Sequence, residues 1–174
     1  VSETVYIGLG SNLGERQQLL VRAVEALRGI DAVAVRRVSS LYDSAPVGPS
    51  QPRFLNAAVE LECGLVPTRL LSILKCIEGE LGRVKGERWG PRPIDLDVLL
   101  WDGRIVAEPL LQVPHLELHR RRFALEPLVE LAPGALHPVL GVSVATLLEK
   151  LGPQDVRRLD SPEWPLAQVE RMAS

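Results

Sequence analysis

The apolar positions of this chain change period several times, and each change marks an element. Residues 4–11 alternate, with Val5, Ile7 and Leu9 on one face, and predict a strand. Leu19, Leu20, Ala23, Val24 and Leu27 then recur at helical spacing until Gly29 stops them. Residues 32–42 predict a second strand and 54–63 a third, the latter with Leu55, Ala57, Val59, Leu61 and Cys63 inward and Phe54 and Asn56 on the opposite face. Pro67 opens a helix that carries Leu70, Leu74, Ile77 and Leu81 along one side and ends at Gly82. The run "IDLDVLLW", residues 94–101, predicts a fourth strand, and Asp102-Gly103 after it is a hairpin signal leading to a short extra strand in 104–108. Helical patterns return near 119–132 and 143–151.

The order β-α-β-β-α-β is that of a ferredoxin-like α+β sandwich, an antiparallel sheet carrying helices, here with an extra hairpin strand and additional C-terminal helices. Its connections at 43–53 and 82–93 are longer than the usual run of about four to six residues and rich in Gly and Pro, so function is expected there. Three glycines, Gly82, Gly86 and Gly90, punctuate the second connection, which is expected to move and to close over bound ligands.

At 174 residues, with 46% hydrophobic and 24% charged positions, the chain fits a single globular domain over 1–174, with 152–174 expected as a loosely packed tail. Aromatic residues make up only 4%, which leaves the core to Leu, Val, Ile and Ala. A formal net charge of −2 supplies no global field for a nucleic acid, so any anion site must be local. Cys63 and Cys76 lack metal-site spacing and are expected as buried thiols. No apolar run nears the ~20 residues of a membrane span, and no basic-then-apolar leader is visible, which leads to the expectation of a cytoplasmic, monomeric protein without membrane or nucleic-acid partners.

Chemistry concentrates in the fourth strand. Asp95 and Asp97 are two apart and point to one side, while Ile94, Leu96 and Val98 face the core. Two carboxylates so close raise each other's pKa unless a cation sits with them, and oxygen-only ligation suits Mg²⁺ completed by nucleotide phosphates. An isolated D-x-D equally fits a solvated strand face; the surrounding cations favour the metal. Arg83, Lys85, Arg88 and Arg92 precede the pair among glycines and prolines, and "HLELHRRRF" adds His115, His119, Arg120, Arg121, Arg122 and Phe123. Guanidinium groups and a metal converging on one polyphosphate are the recurring apparatus of phosphoryl transfer.

The phosphate is not held by a dinucleotide fingerprint, because "GLGSNLGE" has Leu13 where the third glycine belongs, and no P-loop is present. Ser11 and Asn12 are expected to end the strand and cap the helix. Phe54 and Asn56 suit a planar heterocycle, held by stacking and by an amide that both donates and accepts; Trp89, Phe123 and Tyr42 offer further stacking surface.

With these residues assembled, the chain resembles the 6-hydroxymethyl-7,8-dihydropterin pyrophosphokinases of folate biosynthesis. The resemblance runs over residues 4–150 and is carried by "GSNLG", "YDSAPVG", "QPRFLN", "GRVKGERWGPRPIDLDVLL" and "VPHLELHRRRF". It implies transfer of pyrophosphate from Mg-ATP to the pterin hydroxymethyl oxygen, with release of AMP. It further implies that Asp95 and Asp97 ligate two Mg²⁺ ions and that Arg83 and Arg92 contact the phosphates. Glu78, Lys85, Trp89, Val98, His115 and Arg121 fall on the nucleotide side. Ser44, Ala45, Val47, Phe54, Asn56, Trp89, Asp95 and Phe123 fall around the pterin. Ser44-Ala45, Lys85 and Leu110 depart from the commoner family residues, and a lysine ammonium cannot reproduce a guanidinium fork. No histidine is obviously placed as a general base, so positioning and electrostatics are expected to carry most of the rate.

Overall fold

The computed structural model describes residues 2–83, 90–161, 163 and 164. In chain order the elements are β1 (Glu3–Ser11), α1 (Arg16–Arg28), β2 (Val33–Val38), β3 (Leu41–Ser44), β4 (Phe54–Cys63), α2 (Pro67–Glu80), β5 (Asp95–Trp101), β6 (Val106–Glu108), β7 (Leu111–Val113), α3 (Arg122–Leu131), β8 (Leu136–His137), β9 (Val142–Ser143), α4 (Val144–Lys150) and β10 (Val156–Leu159). The main sheet runs β10-β3-β4-β1-β5, with β2 also on β4, and every pairing is antiparallel.

Strand alternation sorts the side chains onto two cores. Val5, Ile7 and Leu9 of β1 and Leu55, Ala57, Val59 and Leu61 of β4 meet Leu20, Ala23, Val24 and Leu27 of α1 and Leu70, Leu74 and Ile77 of α2 on one face. On the other face Tyr6, Leu99 and Leu100 pack beneath Leu125 and Leu128 of α3 and Val144 and Leu147 of α4. Burial of apolar area at about 25 cal/mol per Å² makes both faces of the sheet stabilising, but the second is only partly covered, which leaves room for a site.

Several expectations need correction. The strand expected over 32–42 is two strands, because Ser39 breaks it. Its N–H donates to the Ala58 carbonyl at 2.9 Å, while its hydroxyl accepts from the Ala58 N–H at 2.8 Å and donates to the Ser40 carbonyl at 2.8 Å. A side chain thus substitutes for the ladder, and β2 and β3 pair separately along the same edge of β4. Asp102 and Gly103 do turn the chain, at φ 39° and 69°, but they form no hairpin with β5. The short strand pairs instead with β7, since Val106, Leu111 and Val113 are apolar and join the helix-side core. The helix near 119–132 is a 3₁₀ turn at Leu118–Arg120 followed by α3, interrupted where Arg121 is extended.

The tail is not loose over its described part. β10 adds to the sheet along β3, and Trp164, 4% exposed, donates its indole N–H to the Ser39 carbonyl at 3.0 Å. Cys63 is buried as expected, whereas Cys76 is exposed on the outer side of α2.

Candidate active site

The register of the sheet explains the site. Asp97 stands opposite Gly8, which stands opposite Ala58; Asp95 stands opposite Gly10, which stands opposite Asn56. Directly paired residues share a face, so the carboxylates of β5 and the amide of β4 look across a strand that carries no side chains there. Gly8 and Gly10 are therefore the floor of a cavity. A Cβ on Gly10 would lie 3.4 Å from Asn56 Oδ1 and 3.6 Å from Phe54 Cδ1. The "GLG" that fails as a dinucleotide fingerprint serves space instead, and its signal in the sequence is glycine at every second position of an otherwise apolar strand.

The cavity encloses about 790 Å³ including its open mouth. One wall is polar and charged, from Arg92, Asp95, Asp97, His115 and Arg121; the other is Ser44, Ala45, Val47, Phe54, Asn56 and Phe123. Asn56 is buried and donates to Ser44 Oγ at 2.7 Å, which fixes its amide and leaves Oδ1 on the side of Gly10. The Arg121 guanidinium lies 5.7 Å from the Phe123 ring centre, within cation-π range.

The two aspartates differ in compensation. Asp95 accepts from Arg83 Nη1 at 2.8 Å and from Arg92 Nη1 at 3.2 Å, one guanidinium on each oxygen. Arg83 is held from behind by Glu78, whose Oε2 accepts from Arg83 Nη1 at 2.5 Å and from the Leu96 N–H at 2.9 Å, with Lys75 Nζ on Oε1 at 3.2 Å. Burial acts to lower the Arg83 pKa, but the charges of Asp95 and Glu78 outweigh it and hold it above its ordinary value. Among the described residues Asp97 has no such partner: its nearest ion-pair contact there is His115 Nε2 at 4.0 Å. Burial first, then the charges of Asp95 and Glu78, push its carboxyl up to about 7, against the pull of Arg121 and Lys75.

His115 does not compensate Asp97, because burial and the Arg121 charge lower its pKa below the ordinary imidazole value. Its Nδ1 accepts from the Glu117 N–H at 3.1 Å, so the neutral ring carries its proton on Nε2, facing Asp97. Among the described residues no group of three or more His, Cys, Asp or Glu gathers as a complete metal site. The donor set fits a hard cation that takes carboxylates from the protein and its remaining oxygens from phosphate and water, and the uncompensated Asp97 is where positive charge is missing.

Of the sequence-predicted residues, Ser44, Ala45, Val47, Phe54, Asn56, Arg92, Asp95, Asp97, His115, Arg121 and Phe123 come together in this cavity. Arg83 and Glu78 do not line it but support it through Asp95. Val98 is a correction: alternation turns its side chain to the opposite face, where it is 4% exposed in the helix-side core. Tyr42 offers no stacking surface, since it is buried and its hydroxyl donates to Glu130 Oε1 at 2.7 Å. Arg122 pairs with Glu126 at 2.9 Å and Arg120 with Glu117 at 3.8 Å, outside the cavity. Lys85, Arg88 and Trp89, and with them most of the loop expected to close, lie outside the described residues.

Asn12 stands differently from the helix cap that the sequence leads one to expect. It makes no helix cap; α1 begins after Glu15 without a side-chain cap. Its Nδ2 donates to Gln51 Oε1 at 2.8 Å and to the Pro52 carbonyl at 3.0 Å, and its Oδ1 accepts from the Arg92 N–H at 2.8 Å. One buried amide thus joins the loop before β4 to the segment that carries Arg92.

The family model for 7,8-dihydro-6-hydroxymethylpterin-pyrophosphokinase (HPPK) matches residues 6–133. The chain belongs to this family. It is 41% identical over 156 residues to the 2-amino-4-hydroxy-6-hydroxymethyldihydropteridine pyrophosphokinase of Methylorubrum extorquens, covering 89% of this chain and 98% of that one. It is 40% identical over 157 residues to the folic acid synthesis protein of Pneumocystis carinii, covering 90% of this chain but only 21% of that longer protein. In fold it is similar to the crystal structure of wild-type Plasmodium falciparum HPPK-DHPS with STZ-DHP, with a TM-score of 0.69 and 14% identity over 86% of this chain and 43% of the other. The HPPK match takes in Asp95, Asp97, Arg92 and both cavity walls, and it stops before α4 and β10.

Proposed function

We infer that this chain transfers pyrophosphate from ATP to the hydroxymethyl group of 6-hydroxymethyl-7,8-dihydropterin, a step of folate biosynthesis. The observation that carries the reading is the union, in one cavity, of the Asp95–Asp97 pair with the Ser44–Asn56–Phe54–Phe123 pocket across a glycine floor. In this reaction the alcohol oxygen attacks the β-phosphorus, the bond from that phosphorus to the α-phosphate oxygen breaks, and AMP leaves. Phe54 and Phe123 stack on the pterin ring, and Asn56, fixed by Ser44, reads its polar edge. Asp95 and Asp97 would hold Mg²⁺, two ions on the family resemblance, and the metal would supply charge neutralisation for the nucleotide phosphates. Arg92 and Arg83 turn from Asp95 to the phosphate oxygens, with Arg121 and His115 on the nucleotide side. Lys85 and Trp89 are assigned to that side as well, from the family resemblance alone. No step needs a strong base, because the loose transition state of phosphoryl transfer demands little early deprotonation.

The sheet order β5-β1-β4 followed by β2 and β3, with α1 and α2 on one face, supports a ferredoxin-like description of the core. We take the protein to act as a monomer. No helix among the described residues is long and apolar enough to cross a membrane. The nucleotide co-substrate and the free thiols suit the cytoplasm.

The test is product analysis. Incubated with Mg-ATP and the hydroxymethyl pterin, the protein is expected to produce AMP in step with pterin consumption. Stoichiometric ADP would make it an ordinary kinase and overturn the reading.

A further inference from the structure

Three strands end beside the pterin-side wall, and one side chain ties them together. Arg53 immediately precedes Phe54, the first residue of β4, and its guanidinium is fully engaged. Nε donates to Asp43 of β3; Nη1 and Nη2 form a fork on Asp155, at 2.7 and 2.9 Å. Asp155 leads into β10, and its carbonyl accepts from the Ala45 N–H at 3.0 Å. In the ladder, Val156 pairs with Ser44, and Ser44 pairs with Phe54. The cluster therefore sits one residue from Ser44, from Phe54 and from Val156 at once. A second cavity opens on the same side, bordered by Asp155 and Val156 and sharing Ala45, Val47, Arg121 and Phe123 with the first.

Without β10, β3 is a four-residue edge strand, and its end at Ser44 has only β4 to hold it. Ser44 and Ala45, which the wall takes from the end of β3 and the residue after it, have main-chain partners in the segment 155–156. Asn56, in turn, takes its orientation from Ser44 Oγ. The chain of contacts runs Asp155 to Arg53 and Ala45, then Ser44, then Asn56. β10 lies beyond the residues that the family model matches.

We propose that Arg53 is a positioning residue for the pterin, acting through its fork on Asp155 and its bond to Asp43, and that the segment leading into β10 thereby sets pterin affinity. The inference rests on the pterin reading of that cavity wall. A planar fork is demanding in direction, so its loss frees the strand ends by fractions of an ångström, which a stacked and edge-bonded ring feels more than a polyphosphate held by separate cations. On the nucleotide side Arg92 is held by Asn12, and the turn at 115–121 meets the segment before β10 through Gln154, whose Nε2 donates to the Arg120 carbonyl at 2.8 Å, and not through the Arg53 fork.

The experiment compares wild type with Arg53→Gln, Asp155→Asn and the double variant carrying both changes, each checked by circular dichroism and thermal melting. Pterin binding is measured by calorimetry in the presence of a non-hydrolysable Mg-ATP analogue, and steady-state kinetics are run with each substrate varied. Both single variants are expected to raise the pterin Kd and KM about three- to tenfold, with kcat and the KM for ATP within twofold of wild type. The double variant is expected to cost no more than Arg53→Gln alone, the mark of a shared interaction. Unchanged pterin affinity in folded variants overturns the proposal, and so does an equal loss of ATP affinity. Should Arg53→Gln melt near the assay temperature, Asp155→Asn, which removes charge from an exposed side chain, decides the matter alone. Failure of the wild type itself to bind the pterin overturns the functional reading instead.

Discussion

Asn12 and Arg92 are joined twice, by the Arg92 N–H on Asn12 Oδ1 at 2.8 Å and by the Asn12 N–H on the Arg92 carbonyl at 3.1 Å. The same Asn12 amide reaches Gln51 and Pro52, so the main chain of the arginine assigned to phosphate shares an anchor with the loop before β4. Asn12→Ala removes three hydrogen bonds from a residue that is 2% exposed. It is expected to lower stability by about 1–3 kcal/mol, because the orphaned partners lose their acceptor or donor. It is also expected to lower kcat about tenfold or more, in the manner of a direct Arg92→Ala change, since Arg92 is no longer held in place. Denaturation and steady-state kinetics separate the two effects. A stability loss with unchanged kcat assigns Asn12 to folding alone.

Asp97 links pH to stability. Its folded pKa of about 7 stands above the ordinary 3.8, so the folded state binds the proton more tightly than the unfolded chain does. The ligand-free protein therefore loses stability as pH rises between about 4 and 7, and carries the full penalty above that. Asp97→Asn has no charge to bury, and is expected to melt higher than wild type at pH 8 and level with it near pH 4. Nucleotide binding with Mg²⁺, weak in this variant, is expected to release a proton from the wild type when measured near pH 6.5. A melting difference independent of pH removes the assignment.

Gly10→Val tests the floor. The side chain would enter the space between Asn56 Oδ1 and Phe54, and a stacked ring cannot share it. Pterin affinity is expected to fall more than tenfold while binding of a Mg-ATP analogue changes little. Calorimetry with each ligand reads the difference directly. Equal loss of both would point to a distorted β1.

Trp164 tests the reach of the C-terminal segment. Its ring joins the helix-side core and its indole bonds to Ser39, the residue that divides β2 from β3. Trp164→Ala is expected to cost about 3 kcal/mol, as deletion of a buried aromatic does. Trp164→Phe restores most of the packing but not the bond. Chemical denaturation gives both numbers, and a loss under about 0.5 kcal/mol for the alanine variant, the range of ordinary surface changes, would show that the segment packs too weakly to matter.

Local pattern was enough for what depends on period and chemistry. The alternation of β1, β4 and β5 and the helical spacing of α1 and α2 are written in their apolar residues, and the face shared by Asp95 and Asp97 follows from a period of two. The arginines around that pair were legible because cations at such density need a reason in a chain of net −2. What tertiary structure alone decided were relationships between segments that the chain keeps far apart. Register across β5, β1 and β4 placed Asp95 and Asp97 beside glycines, and so turned "GLG" from a failed fingerprint into a floor. Asn12 has the composition of a helix cap, and only the approach of residues 51, 52 and 92 gave its amide better partners. The segment after 152 has too few apolar residues to announce a strand. Its described part, residues 153–161 with 163 and 164, is held by the free edge of β3, by Arg53 and by the cleft that receives Trp164, which are properties of the folded surface and not of the segment.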